Sequence, residues 1–353
     1  MPTNPEGSDT EPTSDTNIVS SDHAKMTTRR EFIAGSAVAM AGVAGCLGSS
    51  QGSAADDETV TFLLKPVENP QDMKAQYEPV KKHLEAEVDG ITVETPVSNG
   101  YSGVERSLKS GRAELSIGDV VAFSFPDLVD VLGTQYLAGA SSFYFSMLVT
   151  KPEYNIGNLT DLKGTEISFC DVLSTSGSVY PLSALEEAGL DIGDAPTGDP
   201  VDFSGTWSNH DQSFRTFIDR ENIKANANYG KPAYPYLTES HLQDIGALDR
   251  ITAHSPWADK IGTKTDEQEL EIAWISERVP YEPVITRAGW DSPKREAVEQ
   301  TLLEMTASDL EEYRSGEDVS LPMTGLTDTS MEDYEAVRRR VTELGVLESK
   351  KEE

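Results

Sequence analysis

From residue 59 onward, β-rich runs alternate with stretches of helical spacing, the pattern of layered α/β structure. Strands are expected over 60–64, 91–95, 114–118 and 143–149. Between them, Tyr77, Val80, Lys81 and Leu84 recur at helical spacing over 72–88, and a second helix fits 101–109 before Ser110-Gly111 stops it. A third helix is expected over 120–131. Beyond Thr150-Lys151-Pro152 the pattern continues with a helical turn at 158–164, a strand at 165–170 and a helix closed by Gly189. Residues 294–303 and 331–344 read as helices.

A chain of 353 residues has enough apolar material for two domains or lobes. Its 61 Asp+Glu against 29 Lys+Arg leave a formal charge of −32, which argues against nucleic acid, whose binding rests on cations neutralising phosphates. The acidic residues are spread along the chain, so the charge reads as a surface property, as in proteins adapted to high salt. Cys46 and Cys170 are the only cysteines, too few for a disulfide framework or a cysteine-rich zinc site. Five scattered histidines make no metal-binding motif, so neither a metal nor a cofactor is expected.

The N-terminal part reads as an export signal. Arg29-Arg30-Glu31-Phe32-Ile33 precedes an apolar stretch of roughly 13 residues, short of the roughly 20 that span a bilayer. It resembles a twin-arginine signal, and Ala44-Gly45-Cys46 resembles a lipoprotein cleavage box in which Cys46 takes the lipid. Residues 1–46 are therefore an extension plus signal, with Met26 an alternative start, and 47–58 a Gly/Ser/acidic tether. That tether contains Gly48-Ser49-Ser50-Gln51-Gly52, a formal G-x-S-x-G match, but no strand precedes it and no helix follows, so it is not a nucleophile elbow.

Inside the α/β body the strongest signal is the loop Ser174-Thr175-Ser176-Gly177 between the strand at 165–170 and the helix beginning near Pro181. A helix N-terminus offers unpaired N–H groups and a positive dipole end, and hydroxyls beside it donate further bonds to an oxyanion. Read alone, the loop serves equally as an ordinary Ser/Thr N-cap.

The order of several segments resembles the phosphate/phosphite/phosphonate-binding receptors of ABC importers. These are Asp161-Leu162-Lys163-Gly164, the Ser-Thr-Ser-Gly loop with Pro181, the helix led by Tyr101, the strand with Tyr144 and Ser146, His210, and Val279-Pro280-Tyr281-Glu282-Pro283-Val284-Ile285. The resemblance covers about 59–305. It implies an α/β, two-lobed periplasmic-binding-protein fold of type II, with the ligand in a cleft between lobes joined by a two-strand hinge. The first lobe would comprise 59–150, the second 151–270, and the first again 271–346 with its C-terminal helices packed back on it, leaving 347–353 as a charged tail.

By the same resemblance, Ser174, Thr175 and Ser176 donate to phosphoryl oxygens, Tyr101 and Tyr144 add phenolic donors, His210 closes from the second lobe, and Glu282 lies against the ligand. No catalytic residue is expected. Relatives that take up aminoalkylphosphonates place a second acid near Tyr229-Gly230-Lys231; here no carboxylate stands there, and Asn222-Ile223-Lys224-Ala225-Asn226 also lacks the usual one. The ligand implied is an amine-free phosphorus oxyanion. Partners would be an ABC permease and ATPase, with the receptor monomeric and lipid-anchored to the outer face of the cell membrane. Two rival readings remain: a sensor domain for a membrane signalling partner, and a lipid-anchored phosphoester hydrolase with a serine of the loop as nucleophile and His210 as base.

Overall fold

The computed structural model describes residues 57–346 except 119–121, 123–124, 138–140 and 317–318. The twin-arginine segment, Cys46, all of the tether before Asp57 and the tail after Val346 lie outside the described residues.

Two sheets divide the chain. The first is six-stranded, built from β1 (Glu58–Leu63), β2 (Ile91–Glu94), β3 (Leu115–Ile117), β4 (Val129–Tyr136), β12 (Pro283–Arg287) and β13 (Gly325–Thr327), in the order β13-β4-β12-β3-β1-β2. β1 runs parallel to β2 and β3, whereas β12 and β13 enter antiparallel from distant parts of the chain. Between β4 and β12 in sequence lies the second sheet, five-stranded: β6 (Ser146–Thr150), β7 (Glu166–Phe169), β8 (Ser204–Trp207), β9 (Ile223–Tyr229) and β10 (Glu271–Ile275), in the order β10-β6-β9-β7-β8. The two passages between the sheets pair with each other. β5 (Phe143–Tyr144) lies antiparallel to β11 (Val279–Pro280), so a two-strand ribbon joins the lobes.

Both sheets carry helices on both faces, and the period of two in their strands shows why. In β1, Val60 and Phe62 enter a core with Tyr77, Leu84, Val298 and Leu302, while Leu63 turns to the opposite core with Val104, Leu108 and Val337. In β6, Leu148 packs with Ile167, Phe169 and Leu185, while Met147 and Val149 pack with Phe217 and Tyr234. The helix Pro70–Glu87 starts where Pro70 sits at the first turn and the Asn69 side chain accepts the Gln71 N–H.

The helix expected over 120–131 is not what forms at its C-terminal end. Pro126 disfavours helical backbone at the residue before it, and Val129–Tyr136 is a strand, held between β12 and β13. The C-terminal helix Glu335–Glu343 packs on the first lobe through Val337 and Val341 but also reaches the second, where the Arg340 guanidinium donates to Glu187 at 2.8 Å and stacks over Tyr180. No described helix is long and apolar enough to cross a membrane.

Candidate ligand-binding site

Where β7 ends, the chain turns into the Ser174-Thr175-Ser176-Gly177 loop. Ser174 caps it: its Oγ accepts the Gly177 N–H at 3.1 Å, and its carbonyl takes the N–H groups of both Ser178 and Val179. The turn Thr175–Val179 is wider than an α-turn, a form that recurs at functional sites, and continues into the helix Tyr180–Glu187. Gly177 permits this wrap, since a Cβ there would stand 2.2 Å from the Cys170 Cβ. Ser176, one residue earlier, has no partner for its N–H or its Oγ among the described residues and lines a cavity of about 370 Å³ between the lobes.

His210 opens the helix His210–Asp219 and lines the same cavity. Its Nδ1 faces the Asn228 Oδ1, which only accepts, so the ring carries its proton there. Nε2 lies 3.1 Å from the Ser174 Oγ. Cys170 donates to the Ala227 carbonyl and sits 3.1 Å from Nδ1, its thiol pushed well above the ordinary range by burial. This Ser–His contact looks like half of a hydrolytic pair, yet Ser174 is off the cavity wall and already caps the loop. Asn228 and Cys170 stand behind His210 where a triad would set a carboxylate.

Of the residues read from the sequence, Tyr144, Ser176, His210 and Glu282 line the cavity. Tyr101, Ser174 and Thr175 are buried behind the wall; Tyr101 instead ties the lobes, its N–H donating to Asp171 at 3.3 Å and its ring lying under the Lys65 ammonium.

Several wall residues had no sequence signal. Lys65, only 2 % exposed, pairs with Glu282, whose backbone carbonyl is held by Gln135 at 3.0 Å. A carboxylate does stand beside Lys231 after all: Glu68 crosses from the first lobe, pairs with Lys231 and accepts from Tyr229 at 3.2 Å and Gln76 at 3.1 Å. Burial raises the Glu68 carboxyl, but Lys231 and these hydrogen bonds more than offset it, so its pKa lies below the usual value. Tyr77, Tyr229 and Tyr281 are driven well above the ordinary phenol range, mainly by burial and then by the Glu68 or Glu282 charge, and therefore act as neutral donors. No group of residues suited to hold a metal occurs among the described residues.

The hydroxyl/His end of the cavity presents the Ser176 N–H and Oγ, and among the described residues no carboxylate completes a triad with Ser174 and His210. The family model for "ABC transporter, phosphonate, periplasmic substrate-binding protein" matches residues 62–334. The phosphate-import protein PhnD of Mycolicibacterium smegmatis is 31% identical over 157 residues, 43% of this chain and 47% of that protein, so the chain spans about half the length of this curated relative. Among solved structures, PhnD1 of Prochlorococcus marinus in complex with methylphosphonate superposes with a TM-score of 0.58 at 15% identity, covering 82% of this chain and 98% of that one. The binding-protein component of an ABC phosphonate transporter from Pseudomonas aeruginosa gives 0.56 at 16% identity, over 84% and 98%. These likenesses share the two-lobed fold, and the chain belongs to the periplasmic substrate-binding proteins of phosphonate ABC transporters, a family of receptors rather than enzymes.

Proposed function

We propose that the protein is an extracytoplasmic receptor that binds an amine-free phosphorus oxyanion and hands it to an ABC permease driven by its ATPase. The observation that carries this reading is Ser176: its Oγ and N–H have no partner among the described residues, and it lines the cavity at the start of a helical turn, as do His210 and Tyr144. Donors the protein leaves unmatched are available to a bound oxyanion, to which hydrogen bonds are stronger than to a neutral acceptor.

The absence of an amine follows from the wall charges. Glu282 is paired with Lys65 and Glu68 with Lys231, so the protein's own ammonium groups occupy both acids, and a ligand ammonium would meet like charge. Calorimetry of the full chain in molar KCl checks it. Methylphosphonate should bind more tightly than 2-aminoethylphosphonate, and the reverse order would overturn the amine-free reading.

The same proposal includes export and anchoring. Arg29-Arg30 and Ala44-Gly45-Cys46 support twin-arginine export followed by lipidation, which would hold a monomeric receptor near its permease and raise its effective concentration there. Cys46→Ser should release the protein from the membrane fraction or leave it unprocessed. Unchanged mobility and fractionation would refute the anchor.

A further inference from the structure

The cavity is too large for the ligands considered so far. At about 370 Å³ it holds the volume of roughly a dozen waters, of which phosphate or methylphosphonate would displace roughly three. The remainder has a defined wall. Five rings that line it make a continuous chain, each against the next: His210–Tyr229 at 5.0 Å, Tyr229–Trp257 at 5.6 Å, Trp257–Tyr281 at 6.0 Å and Tyr281–Tyr144 at 5.4 Å between centroids. Val67, Leu137, Trp257 and Tyr281 are each only half-buried, so apolar surface inside the cavity is still exposed to water.

The charges on the wall cancel among themselves. Among the described residues of the wall, three lysines pair with three carboxylates, Lys65 with Glu282, Lys231 with Glu68, and Lys260 with Asp259. The Lys231 ammonium also lies 5.6 Å from the centre of the Trp257 ring, so a cation–π position on that indole is filled by the protein.

We infer that the preferred ligand is a phosphonate bearing an uncharged aromatic substituent, its oxyanion at the Ser176 N–H and Oγ and its ring in the aromatic part of the cavity. This rests on the receptor reading above and names the substrate class of that site. A ring placed there covers the exposed faces of Trp257, Tyr281, Val67 and Leu137, and rings gain further from edge-to-face contact. A cationic substituent gains neither a carboxylate nor the indole face; an anionic one gains no lysine of its own.

Calorimetry of the full chain against phosphate, methylphosphonate, phenylphosphonate and 2-aminoethylphosphonate tests this. Phenylphosphonate should bind at least about tenfold more tightly than methylphosphonate. Methylphosphonate binding with phenylphosphonate equal or weaker would overturn this inference and leave the receptor reading standing. Binding of none of the phosphorus ligands would overturn both. A preference for 2-aminoethylphosphonate would overturn the uncharged substituent. Val67→Phe, which fills the chamber, should lower the phenylphosphonate-to-methylphosphonate affinity ratio about tenfold. Leu137→Phe makes the same test should the first variant fold poorly, and an unchanged ratio in the folded variant would overturn the placement of the ring.

Discussion

Ser174 and Ser176 are two residues apart and chemically identical, yet their surroundings separate them. Ser174 spends its oxygen on the Gly177 N–H and the His210 ring, whereas Ser176 faces the cavity. Ser176→Ala should therefore weaken oxyanion binding about ten- to a hundredfold, the loss of a hydrogen bond to a charged group worth roughly 1.5–3 kcal/mol, while the melting temperature stays near that of the parent. Ser174→Ala should behave differently, losing about 1 kcal/mol of stability as a missing helix cap and loosening His210. Calorimetry and thermal melts on the two variants separate the roles; equal melting temperatures with equal affinity losses would show that both hydroxyls serve the ligand. The Ser-Thr-Ser-Gly loop and His210 are legible in the sequence as residue types. Which hydroxyl faces the cavity is not, because that depends on how the turn after β7 winds.

At the scale of elements, the unit that carries the proposed oxyanion site is β7, its wide turn and the helix that follows. It works because the loop lies directly on the strand end it has just left. A side chain at residue 177 would stand 2.4 Å from the Cys170 Sγ, so Gly177→Ala must push the loop off β7. Such overpacking costs about 1–3 kcal/mol, and the variant should both melt earlier and lose oxyanion affinity. Retained affinity would show that the wide turn is not needed for binding. β9 illustrates why some elements escape a reading of the pattern. Its sequence Ile-Lys-Ala-Asn-Ala-Asn-Tyr has little β character, but Ile223, Ala225 and Ala227 fill one core position after another, and the buried Asn226 is satisfied by Ser168 at 2.9 Å and Ser213 at 2.6 Å. The polar residues are strand residues only because partners from other elements meet them.

For the whole molecule, the ties between lobes decide how the cleft behaves. Glu68 brings Lys231 and Tyr229 of one lobe to the other, and its folded pKa is depressed from 4.5. The pair's contribution is therefore complete above that value and is lost as pH falls through the lower folded pKa. The melting-temperature difference between the parent and Glu68→Gln should be largest near neutral pH and shrink below about 4.5; a difference independent of pH would contradict the coupling. The net charge of −32 acts on a longer range. Its self-repulsion is screened as the Debye length falls from about 10 Å at 0.1 M salt to about 3 Å at 1 M, so the protein should melt higher in molar KCl than in dilute buffer. A fall in melting temperature would argue against repulsion as the dominant effect of salt.

Alternating apolar patterns are local, and so β1, the helix Pro70–Glu87, β7 and the hydroxyl loop follow from the order of residues alone, as does the likeness that points to two lobes. The wall of the cleft is not local. Glu68 and Lys231 are 163 residues apart, and Lys65 and Glu282 are 217 apart. No spacing along the chain marks such pairs, because they meet only where the two sheets face one cavity. The order of residues alone sets the Ser-Thr-Ser-Gly hydroxyls side by side, whereas only the tertiary structure decided that His210 and Tyr144 join Ser176 on one cavity wall and that the charged residues there pair with one another, because these groups come from distant parts of the chain.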